Sequence, residues 1–193
     1  PSRTANTATE ESARSIHHAY TLGSLNWGEQ MMQSTLFSNV RILDGSGAAP
    51  YPGSVLIEGK RIKHISRSAA PISSGDALQI DAAGATLMPG MCEAHTHFSW
   101  NNAANLAGIQ TMPLEEHVLW SAKVAKIYLE AGWTSCVGAA CAKPRLDVVI
   151  RNAINSGQIP GPRYLAATQE ITVPGALGDE TLPHLPFPEF SFG

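Results

Sequence analysis

Short runs of alternating hydrophobic and polar residues dominate the chain between residues 35 and 88. Turns that contain glycine separate several of the runs, as at Glu58-Gly59-Lys60 and Ala82-Ala83-Gly84. Alternation with a period of two is typical of β-strands with one buried face, and glycine favours tight turns between them. The pattern predicts strands at 36–37, 40–43, 54–57, 61–65, 78–81 and 86–88. We therefore expect a small β-sandwich or β-meander in this part of the chain.

The run at residues 61–65 interrupts this alternation. Ile62 and Ile65 are three positions apart, so they cannot lie on the same face of a regular strand. Their spacing predicts a bulge or the end of the strand near His64. We expect His64 itself, beside Lys63, to be an exposed strand residue.

The hydrophobic period lengthens to that of a helix beyond about residue 111. A first helix is predicted to begin at Thr111 or Pro113 and to end at Gly132, and a second to begin at Pro144 and to end at Gly157. The hydrophobic stripe of the first helix consists of Leu114, Val118, Leu119, Ala122, Ala125 and Leu129. Short strands are predicted at 133–140 and 163–168. Strands and helices in this order indicate parallel βαβ units.

The two ends of the chain lack such patterns. Residues 1–33 are rich in serine, threonine, alanine and asparagine, which predicts a poorly ordered or loosely docked extension. Part of it, residues 10–20, is free of proline and glycine and could be helical. We interpret the adjacent His17 and His18 as a solvated surface pair. The segment from Val173 to Gly193 is rich in proline and is expected to form an irregular loop.

Composition and charge exclude several classes of partner. The chain has 193 residues and a formal net charge of −3, and it contains no basic run. Nucleic acid and membrane surfaces are therefore not expected as partners. No apolar run approaches the roughly 18 residues that span a bilayer. No secretory signal is visible, so a cytoplasmic location is expected, although removal of a leader would leave secretion open.

Three cysteines are present, Cys92, Cys136 and Cys141. An odd number without a Cys-x-x-Cys pair argues against a disulfide framework and against a structural zinc knuckle. We expect the three thiols to be reduced and mostly buried. Cys141 fits a small core residue best, with a position facing solvent as the alternative.

Residues 87–98 carry the main chemical signal of the chain. A break at Pro89-Gly90 is followed by two histidines, His95 and His97. In a regular strand, alternation would place Glu93, His95 and His97 on one face. Imidazole is a common ligand of zinc and related ions, so this face predicts part of a metal site. The pair alone has little specificity, but the helix pattern that follows has the spacing of a βα unit.

Several segments, taken together and in order, resemble a known family. They are residues 55–62, 80–90, 93–97 (Glu93-Ala94-His95-Thr96-His97), 132–135 and 152–163. Their sequences resemble the opening of the amidohydrolase superfamily, especially its prolidase-like, imidazolonepropionase-like and ochratoxinase-like branch. The likeness covers about residues 35–179.

The resemblance implies an α/β fold, an incomplete TIM-like (β/α) barrel preceded by a small β-sandwich. The sandwich would occupy residues 34–88 and the first βα units of the barrel residues 89–193. It also implies that His95 and His97 are ligands of one or two divalent ions, usually zinc, at the carboxyl end of the first barrel strand. Members of this branch use metal-activated water to hydrolyse C–N bonds of small amides, cyclic imides or dipeptides. A small amide or a dipeptide is therefore the expected substrate.

Three positions depart from the family pattern. Glu93 stands where the family usually has aspartate, and we expect it either to support the metal ligands without binding the ion or to be a buried structural carboxylate. Val137-Gly138 stands where many relatives have Arg-Asp. Gly175-Ala176-Leu177 stands where relatives often have a Gly-Gly-His turn, so a polar contact to substrate is expected to be lost.

A complete barrel needs around 250 residues, and too few residues follow His97 to form one. This chain is therefore expected to hold only part of the implied metal site. The family's carbamylated lysine, its two later histidines and its proton-carrying aspartate are expected beyond Gly193. The general base is therefore expected there as well. Substitute ligands within the chain would come from His117, Asp147, Glu170, Asp179 and His184. None of these has a distinctive spacing. We expect His117 on a helix surface and Asp179 in a turn.

Three hypotheses stay open at this point. The first is the N-terminal part of a metal-dependent amidohydrolase, which alone would bind metal weakly and be weakly active or inactive. The second is a truncated, non-catalytic fragment that associates through an open barrel edge and its aromatic C-terminal tail, as a homo-oligomer or with a complementary C-terminal segment. The third is a lyase, such as a decarboxylase, on the same scaffold.

Overall fold

The computed structural model describes residues 34–67, 72–100, 106–173 and 191–192. It forms two compact units, the first ending at Pro89 and the second beginning at Gly90. The predicted N-terminal extension, with His17 and His18, lies outside the described residues. So do 174–190, which include Asp179, His184 and Gly175-Ala176-Leu177. No helix in the described segments is long and apolar enough to cross a membrane.

The first unit contains one mixed five-stranded sheet in its described part. Its strands are β1 (Thr35–Ile42), β2 (Tyr51–Glu58), β3 (Arg61–Ser66), β4 (Leu78–Asp81) and β5 (Thr86–Leu87). Strands β1, β2 and β3 pair antiparallel, whereas β4 and β5 both pair parallel with β1. The prediction of a β-meander is therefore wrong beyond β3, because parallel pairing requires the chain to cross back over the sheet. The second layer of a β-sandwich stays a prediction.

Two bulges explain the irregular spacing in this sheet. The two short runs at its start are one strand, β1, in which the register shifts between Phe37 and Val40 and Asn39 takes a positive φ of 52°. In the β2–β3 hairpin, Leu56 is paired with His64 and Ile57 with Ile62, so Lys63 is an extra residue. The predicted bulge near His64 is confirmed, and His64 is exposed.

The second unit contains the predicted βαβ order. Its elements are β6 (Met91–Thr96), α1 (Leu106–Thr111), α2 (Leu114–Glu130), β7 (Trp133–Gly138), α3 (Leu146–Asn155) and β8 (Arg163–Leu165). The three strands form a parallel sheet in the order β6-β7-β8. A further parallel pair joins β9 (Glu170–Ile171) to β10 (Ser191–Phe192). These units agree with the start of a (β/α) barrel, and closure of the barrel stays a prediction.

The helix ends agree with most of the sequence signals. Helix α2 begins after Pro113 and is followed by Gly132, whose φ of +92° favours glycine. Helix α3 begins at Leu146, two residues later than the predicted start at Pro144, and Arg145 before it has a positive φ of 61°. Helix α1 was not predicted.

The core of the second unit lies between the sheet and the helices. Its buried members are Phe98, Ala125, Cys136, Ile150 and Tyr164. The Phe98 and Tyr164 rings stack with their centroids 4.3 Å apart. Leu119 is 73% exposed, so it does not belong to the buried stripe of α2 that the sequence predicted. The core thus fixes the three strand ends from which the candidate site is built.

Candidate metal centre

His95 and His97 lie at the carboxyl end of β6, as predicted. Their Nε2 atoms are 3.0 Å apart, and their rings meet edge to face with centroids 4.9 Å apart. Zinc is held by imidazole nitrogens at about 2.0–2.1 Å, so two nitrogens this close can reach one ion. The arrangement supplies two convergent nitrogen donors.

A single backbone carbonyl orients the His97 ring. The Ala140 carbonyl oxygen lies 3.1 Å from His97 Nδ1 and accepts a hydrogen bond of 3.3 Å from Trp100 Nε1. A proton on Nδ1 leaves the lone pair on Nε2, the atom that faces His95. The fold therefore favours the His97 tautomer that binds a metal through Nε2.

Glu93 begins an irregular stretch of β6 that ends at Thr96. Glu93 pairs with Cys136, and Thr96 pairs with Gly138. Three residue steps along β6 therefore match two steps along β7, which is a β-bulge. This bulge breaks the strict alternation that the sequence prediction assumed. Burial, together with the Glu93 charge, raises the pKa of the Cys136 thiol to about 11. The Glu93 carboxylate also accepts a hydrogen bond of 3.2 Å from the His95 backbone N–H.

The three cysteines differ in burial. Cys136 and Cys141 are buried, whereas Cys92 is exposed. Burial raises the pKa of Cys141 too, and its thiol donates to the Lys143 carbonyl at 3.1 Å. The predictions that the cysteines are mostly buried and that Cys141 is a small core residue are confirmed, with Cys92 as the exposed member.

A cleft opens beside the two imidazoles. Its volume is about 330 Å³, and its lining residues are His95, His97, Trp100, Ala139, Ala140 and Glu170. This volume is at the lower end of the range for sites that bind small molecules. Trp100 was missed by sequence reasoning, and Glu170 was one of five candidate ligands with no distinctive spacing, because neither residue lies in a motif with the histidines.

The loop after β7 forms one wall of the cleft and is held by backbone hydrogen bonds. Ala139 N–H donates to the Thr96 carbonyl at 2.9 Å, and Cys141 N–H donates to the Thr168 carbonyl at 2.9 Å. Thr96 Oγ1 donates to the Val137 carbonyl at 2.9 Å. The wall is therefore tied both to the strand that carries the histidines and to the segment that precedes Glu170.

Gly138 has a steric role at the end of β7. A Cβ atom there would lie 2.6 Å from Tyr164 Oη and 2.9 Å from Asp147 Oδ2. Those two groups form a buried hydrogen bond in which the phenol donates to the carboxylate. Glycine at 138 leaves room for this pair beneath the strand ends.

Asp147 and His117 are both fully buried and lie outside the cleft lining. Burial raises the pKa of Asp147 to about 6, against the opposing effect of the Tyr164 hydrogen bond. The prediction that His117 lies on a helix surface is wrong, because its Nε2 atom is 2.5 Å from the Ser99 carbonyl in the interior. Burial lowers the pKa of His117, and among the described residues its Nδ1 atom has no partner.

Of the substitute ligands suggested by the sequence, Glu170 is the one that the described structure brings to the cleft with His95 and His97. No group of three or more His, Cys, Asp or Glu side chains in the described ranges is arranged to hold a metal ion. The residues present thus fit a divalent ion through two nitrogens. Further ligands would have to come from other residues.

Comparison with sequences of known proteins gives short matches. No family model matches the chain. Dihydroorotases of two Streptococcus thermophilus strains, CNRZ 1066 and ATCC BAA-250 / LMG 18311, are 35% identical to it over 63 residues. The match covers 33% of this chain and 14% of each dihydroorotase.

Comparison with solved structures gives longer matches. An amidohydrolase is 27% identical, with a TM-score of 0.62 over 72% of this chain and 32% of its own. A prolidase complexed with N-methylphosphonate-L-proline is 26% identical, with a TM-score of 0.63 over 72% of this chain and 33% of its own. A Xaa-Pro dipeptidase with bound methionine shares the fold at 24% identity, with a TM-score of 0.64. The chain spans about a third of the length of these structures.

Proposed function

Because the chain belongs to the amidohydrolase superfamily and matches the N-terminal part of its members, we propose that it supplies the N-terminal half of a hydrolytic metal site. The proposed reaction is hydrolysis of a C–N bond in a small amide or a dipeptide. The observation that carries this proposal is the pair of Nε2 atoms of His95 and His97, 3.0 Å apart beside a cleft.

His95 and His97 would hold a divalent ion, with zinc expected from the nitrogen donors. When bound, such an ion polarises a carbonyl group and lowers the pKa of water. The Ala140 carbonyl keeps the His97 ring in the tautomer that presents Nε2. Trp100, Ala139 and Ala140 line the cleft beside the two histidines, where they would contact apolar parts of a substrate. The general base and the remaining ligands are expected from residues outside the described ranges.

Zinc retention by single-histidine variants tests this proposal. We expect His95→Ala and His97→Ala to bind less zinc than the wild-type chain in equilibrium dialysis against the same zinc concentration, with circular dichroism unchanged. His64→Ala is the matched control, because His64 is an exposed histidine of the first unit. Unchanged zinc content in His95→Ala would refute the ligand assignment.

The number of metal ligands also predicts how the 193-residue chain behaves on its own. Two imidazoles are fewer than the three protein ligands of a catalytic zinc site, so we expect weak metal binding and little turnover of a dipeptide. One stoichiometric, tightly held zinc together with full activity in this chain would contradict the expectation of weak binding and little turnover.

A second candidate function is association, as a homo-oligomer or with a complementary C-terminal segment. It is favoured by exposed hydrophobic side chains near the end of the parallel sheet: Leu165 (69%), Ile171 (83%) and Val173 (64%). In the described residues β8 pairs on one side, with β7. An unpaired edge with exposed hydrophobic residues promotes pairing with another chain. A monomer at all concentrations would count against this candidate.

A further inference from the structure

The cleft beside the two histidines has an uneven distribution of charge. Its described lining contains one carboxylate, that of Glu170, and neither lysine nor arginine. An anionic ligand group near this carboxylate would be repelled and would have no basic side chain among these lining residues to pair with. A cationic group would be attracted.

Glu170 is part of the cleft lining. Its backbone pairs with Ser191 in the two-stranded β9–β10 ladder. Successive side chains of a strand point to opposite sides: the next residue, Ile171, is 83% exposed, whereas Glu170 is half-buried against the cleft. No hydrogen bond or ion pair of the Glu170 carboxylate occurs within the described ranges, so the charge is available to a ligand.

Trp100 supplies the second element of the subsite. Its indole N–H is used in the hydrogen bond to the Ala140 carbonyl, and its ring meets the His97 ring edge to face with centroids 5.4 Å apart. The ring is thus fixed, and it lines the same cleft as Glu170. A carboxylate and an indole ring together are a combination that recognises ammonium groups, through a charge-assisted hydrogen bond and a cation–π contact.

We infer that Glu170 and Trp100 form a subsite for the protonated amine of the substrate. The preferred substrates would then be amides whose acyl part carries a free amine, such as aminoacyl amides and dipeptides with a free N-terminus. N-acylated amides would be disfavoured. This inference rests on the proposed function, because the histidines place the reacting carbonyl in the same cleft. A role of Glu170 as a third metal ligand is not supported, since the described residues contain no three-ligand group.

The test uses two probes that differ in this charge, leucinamide and N-acetyl-leucinamide. Their dissociation constants are measured by ligand-observed NMR titration of the zinc-supplemented chain at pH 7. We expect the wild type to bind leucinamide at least about tenfold more tightly than the acetylated probe, as a charge-assisted hydrogen bond predicts. Glu170→Gln should abolish this preference. Glu116→Gln, which changes an exposed glutamate on α2, should leave it intact.

Three results would overturn the inference: equal binding of the two probes to the wild type, no binding of leucinamide, or an equal loss of both probes in Glu170→Gln. Zinc retention, measured by dialysis on the same samples, separates this inference from the proposed function. We expect Glu170→Gln to retain as much zinc as the wild type. Absence of zinc in the wild type would refute the proposed metal site, whereas intact zinc retention without amine preference would refute the subsite alone.

Discussion

Asp147 shows how one buried residue affects the whole second unit. Its carboxylate accepts a hydrogen bond from Tyr164, and Gly138 leaves the space in which both groups lie. Burial raises the pKa of Asp147 from 3.8 to about 6, although the Tyr164 and Ala167 hydrogen bonds oppose this. The folded state therefore binds a proton more tightly than the unfolded state. Stability from this group is present at low pH and is lost as the pH rises through about 6.

We predict that Asp147→Asn changes the pH dependence of stability. Relative to the variant, the wild type should lose up to roughly 3 kcal/mol of unfolding free energy between about pH 4 and pH 6.5, from about 1.4 kcal/mol per pKa unit. Urea unfolding at a series of pH values measures this difference. Asp76→Asn, at an exposed position, should behave as the wild type. The same slope in Asp147→Asn and in the wild type would contradict the prediction.

The positions of individual side chains were also harder to predict from the sequence than the helices and strands. The spacing of His95 and His97 predicted their proximity, because both follow one strand. The strict alternation assumed for Glu93, His95 and His97 is interrupted, because a bulge depends on the register with β7 and leaves no mark in β6 alone. His117 was placed on the surface, because its partner, the Ser99 carbonyl, is a backbone group of a different segment.

At the scale of elements, His117 links the start of helix α2 to the segment after β6. Its Nε2–H donates to the Ser99 carbonyl, and Ser99 Oγ accepts a hydrogen bond of 2.9 Å from Ala142 N–H. Helix α2, the residues after His97 and the loop after β7 thus meet at one buried point. Protonation of His117 would add a buried charge near Lys143, which agrees with the lowered pKa of this histidine.

We predict that His117→Ala destabilises the second unit by about 2–4 kcal/mol, from the lost hydrogen bond and the cavity left behind. His117→Gln should lose less, because its amide N–H can still reach the Ser99 carbonyl. A histidine with a lowered pKa loses stability as the pH falls below about 6.5, and this loss should be absent in His117→Gln. Thermal unfolding at pH 5.5 and pH 7.5 measures both effects.

The matched control is His64→Ala, at an exposed position on β3. It should leave both the unfolding temperature and its pH dependence unchanged. Equal unfolding temperatures of His117→Ala and the wild type would show that the Ser99 contact does not stabilise the fold.

Elements with strong periodicity were predictable, and those that depend on pairing were not. Helix α2 has a long hydrophobic period, acidic residues in its first turn and Gly132 after its end, so three signals agree. Helix α1 has six residues, too few to show a period. The parallel pairing of β4 and β5 with β1 was missed, because alternation identifies a strand but not the direction of its neighbour.

At the scale of the whole molecule, the fold of the second unit was more predictable from the sequence than that of the first unit. The order of elements in the second unit follows from two helix patterns between three strands. The break at Pro89-Gly90 coincides with the boundary between the units. A Cβ atom on Gly90 would lie 2.6 Å from Thr134 Cβ, so glycine is required where β6 and β7 begin to pair. Apart from the two histidines, the lining of the cleft was not singled out by the sequence, because its residues meet only in the folded unit.

The last prediction concerns association of the chain in solution. Leu165 on β8 and Leu119 on α2 have similar exposure, 69% and 73%, but different backbone surroundings. Backbone groups of α2 are paired within the helix, whereas β8 has one described neighbour, so association through this edge should depend on Leu165 and not on Leu119. We predict that Leu165→Lys lowers the weight-average mass in sedimentation at high protein concentration and that Leu119→Lys does not. An equal decrease in both variants would indicate general hydrophobic adhesion, and no decrease in either would exclude an interface at the β8 edge.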